Sequence, residues 1–205
     1  QATGIPECVS ITVVAEQNYR EVTIDFGTEG CRVRGHLIKG QMVLDYTRDA
    51  EAQQIRINYN LVDFYFDAKT IIASRSMLKE RSNDNGHPQF THDLSSTVIW
   101  PNGAQASREG HRIREWVAGF GSGVYTDNVF EISGDWTATF VNGQTHSYQV
   151  LLPLRREGSC DHFVSGTFDV QRTNFGGLLD FGDGTCDNLA SFTFNNGQVI
   201  EITLN

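Results

Sequence analysis

LLDFGDGTCDNLASFTFNNGQVIEITLN, residues 178–205, reads as three short strands joined by two tight turns. It is echoed near the N-terminus by TIDFGTEGCRVRGHLIKGQMVLD, residues 23–45. Asp25-Phe26-Gly27 recurs as Asp180-Phe181-Gly182, and Cys31 recurs as Cys186 at the same offset. Gly40-Gln41 recurs as Gly197-Gln198 after a two-residue insertion. Cys8 and Cys160 precede the two blocks at nearly matching distances. The chain therefore opens and closes with related disulfide-bearing β units, about 8–47 and 160–205, around a middle section, 48–159. The whole of 1–205 is expected to be a single all-β domain.

The middle section has longer strands and regular turns. Gln53–Phe66 places Ile55, Ile57, Tyr59 and Leu61 on one face by simple alternation. Turns follow at Asp67-Ala68-Lys69, Asn83–Gly86 and Pro101-Asn102-Gly103. Asn-Gly occurs four times, at Asn85, Asn102, Asn142 and Asn196, each between strand-like runs. The pair suits the positive φ angles of a two-residue hairpin turn. No segment of twelve or more residues carries a helical period. The expected fold is an antiparallel meander forming a sandwich or a partly open barrel.

A net charge of −9 and a pI near 5 argue against a nucleic-acid backbone or an anionic membrane as partner. No window approaches ~18 uninterrupted apolar residues, so membrane contact is expected only through a lipid anchor outside this chain. Four cysteines allow three pairings, and the repeat singles out Cys8 with Cys31 and Cys160 with Cys186. Each bond would add ~3 kcal/mol in the chain-entropy model. Such bonds persist outside the cytoplasm. The start at Gln1 reads as a chain from which an export signal has been removed. The cysteines lack the C-x2–4-C spacing of zinc sites, and no cofactor is expected.

Arg108, Arg112, Arg114 and Trp116 are spaced to share one face of a strand, a platform for carboxylates or anionic glycans, with Trp100 on a separate strand. The competing reading pairs these arginines across strands with Glu80 or Asp93. Asp180, Asp183 and Asp187 crowd one glycine-rich turn, as calcium-binding oxygens do. The alternative is a turn pinned by a disulfide. His87 and His92 would point to opposite faces of a strand and share no metal. Gly121-Ser122-Gly123 lacks the G-x-S-x-G elbow of serine hydrolases. Paired carboxylates of the glycosidase kind can arise among 25 acidic residues without any distinguishing motif. Trp136 and the Phe64-Tyr65-Phe66 run complete the exposed-aromatic candidates, set against ordinary core packing.

The series TIDFG-x3-C, WPNG, ASREGHRIREW, GFGSG, DNVFEISGDW, PLRRE, C-x2-FVSG and LDFGDGTCDN, ending in EITL, resembles a family of secreted proteins and outer-membrane lipoproteins of Bacteroidota. The resemblance runs from about Cys8 to Asn205 and implies export, with tethering by a lipidated cysteine and a short linker. No cysteine precedes Cys8 near Gln1 to carry such a lipid. The resulting expectation is a non-catalytic cell-envelope or surface protein that acts by binding or assembly. It would be an accessory subunit of an outer-membrane complex or a structural component, with a protein partner or further copies of itself. A carbohydrate-binding module is the alternative, and an envelope glycoside hydrolase is third.

Overall fold

The computed structural model describes residues 6–204, which form one antiparallel sheet of fourteen strands. The N-terminal unit holds β1 (Ser10–Ala15), β2 (Tyr19–Asp25), β3 (Cys31–Val33) and β4 (His36–Asp49). Long strands follow: β5 (Gln54–Phe66), β6 (Lys69–Glu80), β7 (Gln89–Ile99), β8 (Gln105–Ala118), β9 (Val129–Thr139) and β10 (Thr145–Glu157). The chain closes with β11 (Phe163–Gln171), β12 (Gly176–Asp183), β13 (Leu189–Phe194) and β14 (Val199–Thr203). A single 3-10 turn, Tyr125–Asp127, interrupts the meander after the glycine-rich segment. Sheet order follows chain order, with β3 paired to β4 off the main path. The sheet does not close into a barrel, and β1 and β14 are its edges.

Residues opposite each other in an antiparallel pair share a face. One unbroken row of such pairs runs Val13, Val22, Leu44, Tyr59, Arg75, Leu94, Gly110, Trp136, Tyr148, Val170, Gly177, Phe194. The row beside it runs Val14, Glu21, Asp45, Asn58, Ser76, Asp93, His111, Asp135, Gln149, Asp169, Leu178, Thr193 and lies on the other face. The sheet thus has an apolar side and an acidic, polar side from edge to edge.

Its surface of 12905 Å² exceeds the roughly 9,600 Å² expected of a compact chain of this mass. Only ten apolar residues are buried among those described, and several of them gather at the C-terminal end. There Leu154, Phe181 and Ala190 form the centre of a core with Ile132, Phe163, Phe168 and Leu179 packed around it. The sheet therefore buries little of its surface over much of its length, and its core is concentrated toward the C-terminal strands.

Both disulfides are local to their units: Cys8–Cys31 with Cα atoms 5.5 Å apart and Cys160–Cys186 at 5.7 Å. In each unit the first cysteine precedes a hairpin, β1–β2 or β11–β12, and the second follows it. Asp25 Oδ1 accepts the Gly27 N–H at 2.7 Å, and Asp180 Oδ1 accepts the Gly182 N–H at 2.8 Å, the same turn in both copies. The likeness ends at Gly-Gln. Gly40 lies inside β4, whereas Gly197 lies in the β13–β14 turn.

The Asn-Gly pairs do not make two-residue turns. In three hairpins the glycine N–H bonds back to the residue three before it, Gly103 to Trp100, Gly143 to Phe140 and Gly197 to Phe194. Only the glycine takes a positive φ. The asparagine side chain instead accepts an N–H two residues on, from Ala104, Gln144 and Gln198. This is a three-residue loop with a glycine bulge, and it satisfies the asparagine locally without forcing it into the left-handed region.

Gly134 in β9 is constrained more severely, since φ is +130° and a Cβ would overlap the His111 carbonyl oxygen. Gly143 has a positive φ but open space around it. Gly134→Ala should therefore cost about 3 kcal/mol or more and Gly143→Ala about 1 kcal/mol in urea unfolding. Equal losses would show that the close β8–β9 approach is not as described.

Candidate functional site

Register decides which of the sequence candidates meet. Arg108 and Arg112 flank Gly110 on the apolar side of β8, and Gly110 admits the close approach of Trp136, on which any Cβ would press. On β7, Leu94 sits opposite Gly110 and His92 opposite Arg112. On β6, Arg75 sits opposite Leu94, and its guanidinium reaches His92 Nδ1 at 3.4 Å. Arg75, Arg108 and Arg112 are exposed, and His92 is half-buried.

Among the described residues, none of these arginines has a carboxylate within ion-pairing reach. The expected cross-strand partners are occupied elsewhere. Asp93 lies on the opposite face, where its Oδ1 meets His111 Nδ1 at 2.6 Å. Glu80 accepts hydrogen bonds from Gln54 and Gln89. The cationic groups therefore repel one another without local compensation. Burial, reinforced by Arg112, Arg75 and Arg114, holds His92 below its ordinary value. A neutral His92 can accept the Arg75 N–H through Nδ1.

Arg114 is a different case. Its guanidinium lies 4.0 Å over the Phe130 ring and 5.6 Å from Phe90, half-buried, and burial lowers its pKa first, with Arg112 second. Trp116 packs beside it, with ring centroids 4.9 Å from Phe120 and 5.2 Å from Phe130. These two residues form an aromatic plug rather than an open platform. Trp100 sits at the β7–β8 turn, where Lys69 Nζ is 6.0 Å over its ring. It does not join the arginines.

The apolar side is concave from β6 to β12 and encloses a groove of about 620 Å³. Arg75, His92, Arg108 and Arg112 line one wall. Ile132, Val150, Leu154, Phe163, Phe168 and Leu179 line the other, with Trp136 between the two, and Ser133 and Asp135 also border the groove. Trp136 stacks on Tyr148 at 5.0 Å and 16°, so a ring face is already covered. Arg75, His92 and the apolar wall were not singled out in the sequence. The hairpin register opposite Arg112 was the available signal for His92.

The turn carboxylates do not converge. Asp180, Asp183 and Asp187 each accept a backbone N–H two residues on, from Gly182, Thr185 and Leu189. Thr185 lowers the pKa of Asp183 through its hydroxyl and its backbone N–H. No cluster of three or more metal-ligating side chains forms among the described residues. His87 bonds Glu115 at 2.7 Å. On the polar side Asp93, Glu109 and Asp135 line an open depression in the middle of the sheet.

Comparison with protein families, with curated proteins and with solved structures finds no match for this chain.

His92 supplies a direct check on the site. Its folded pKa lies below the ordinary 6.5, so on acidification the unfolded chain takes up the proton first. Its contribution to stability is intact above about pH 6.5 and declines as the pH falls toward the folded pKa. Unfolding titrations should show His92→Gln losing that part of the acid sensitivity. An unchanged pH profile would mean that His92 is not half-buried beside the arginines as described.

Proposed function

We propose that this is a non-catalytic binding protein of the cell envelope or cell surface, and that its groove holds an anion. The single observation that carries this is the set Arg75, Arg108 and Arg112, none of them in an ion pair among the described residues, along one wall of a groove whose other wall is apolar. An anion there would relieve the mutual repulsion and accept forked hydrogen bonds from the guanidiniums. The setting is supported by the two disulfides, which mark an oxidising, extracytoplasmic environment. No helix among the described residues is long and apolar enough to cross a membrane. Tethering to an outer membrane, in the manner of the Bacteroidota lipoproteins that the chain resembles, is part of the proposal.

Assembly with a protein partner fits the same scaffold. Edge strand β1, SITVVA, is exposed along its whole length and carries no charge or proline, which are the usual protections of a free edge. An accessory or structural role in an envelope complex would use that edge and leave the groove free.

Sugar recognition through the tryptophans is less well supported, because Trp116 and Trp136 are already packed against neighbouring rings. Hydrolysis by paired carboxylates would have to use the polar depression, where Asp93 is engaged with His111.

Anilinonaphthalene sulfonate, a fluorescent organic anion, tests the reading. Its affinity at low ionic strength should fall at least tenfold in the Arg108→Gln/Arg112→Gln double variant. Glu109→Gln, on the opposite face, should leave it unchanged. An affinity insensitive to the double variant would remove the groove as an anion site.

A further inference from the structure

We propose that the groove takes a free single-chain amphiphile: an alkyl chain ending in a carboxylate, sulfate or phosphate. This rests on the anion-binding reading above and adds the body of the ligand to its charge. The two walls differ in kind. Arg75, Arg108 and Arg112 offer only cationic donors. Ile132, Val150, Leu154, Phe168 and Leu179 offer only hydrocarbon. A sugar laid along that second wall would leave its hydroxyls without partners, at a cost that an alkyl chain does not incur.

The dimensions agree. The volume of about 620 Å³ falls within the roughly 300–1,000 Å³ of small-molecule sites. From β8 to β12 the sheet spans at most about 19 Å, four strand spacings. An extended chain advances about 1.2 Å per bonded atom, so a dozen carbons reach across most of it. The pairs Ile132–Leu154, Val150–Phe168 and Phe168–Leu179 make the apolar wall continuous over β9 to β12. Gly110 and Gly134 let β8 and β9 approach closely beside Arg112, where the two walls meet.

A bilayer surface is the wrong shape for this site. The groove is concave, and the chain carries a net charge of −9 with an acidic opposite face, which opposes approach to an anionic membrane. The proposal therefore commits to an amphiphile free in solution.

Titration of the full chain with hexanoate, decanoate and dodecanoate, below micelle-forming concentrations, tests it by calorimetry. Affinity should rise on the order of tenfold from decanoate to dodecanoate. Dodecyl sulfate should bind at least as well, and dodecyl maltoside at least tenfold more weakly than dodecanoate. Arg108→Gln/Arg112→Gln and Val150→Asp should each weaken dodecanoate at least tenfold. A dodecanoate brominated at mid-chain should quench tryptophan fluorescence in the unaltered protein, and Trp136→Phe should remove that quenching. Quenching in the unaltered protein is read without any variant.

Hexanoate and dodecanoate binding equally, with arginine dependence retained, would overturn the alkyl-chain inference and leave the anion reading standing. No binding of any anion would remove both. Dodecyl maltoside binding as well as dodecanoate would overturn the charged-head assignment. Sedimentation with phosphatidylglycerol vesicles, without binding of monomeric dodecanoate, would place the surface on a membrane and overturn the proposal.

Discussion

The in-register row from Val13 to Phe194 is the constraint on which the rest of the molecule depends. Side chains alternate with a period of two, so a one-residue slip in any ladder would turn everything beyond it to the opposite face. The apolar side would then be cut in two and the arginines would face the acidic side. Short glycine-bulged loops hold several of the registers. The irregularities that do occur, as between Gln149 and Leu154 or between Asn60 and Tyr65, lie beside this row and bend the strands without breaking it.

An extended sheet has few buried residues to hold it, and cross-strand neighbours must supply much of the stability. Each interior strand pairs with the strands before and after it in the meander, so most of the pairing is between hairpin neighbours. The weak points of such a sheet are its two ends, where a strand has only one neighbour. One disulfide lies at an end, tying the approach to β1 to β3, and the other lies two strands in from β14, tying the approach to β11 to the loop after β12. Cys31 and Cys160 are themselves buried, so each bond also serves as a small local core.

Charge is segregated across the thickness of one sheet. Glu21, Asp45, Asp93, Asp135 and Asp169 share the polar face, while Arg75, Arg108, Arg112 and Arg114 share the apolar one. Arg114 is accommodated by two phenylalanine rings. The other three remain open to solvent at the groove.

Composition, alternation and turn residues were enough to establish an all-β meander and its strand succession, because these are properties of neighbouring residues. The repeated Asp-Phe-Gly and cysteine spacing was likewise enough to suggest the two disulfides. The form of the Asn-Gly loops was not legible, since one dipeptide serves two loop lengths and the choice depends on the strands it joins. Arg108, Arg112 and Arg114 were visible as a set on one strand, but their separation into two exposed cations and one aromatic-bound cation was not. That depends on Phe90 and Phe130, which reach Arg114 from the strands on either side. The addition of Arg75 and His92, the packing of Trp136 on Gly110 and the facing hydrocarbon wall were decided only by register and curvature. Those come from pairing among strands far apart in the chain, which no local spacing encodes.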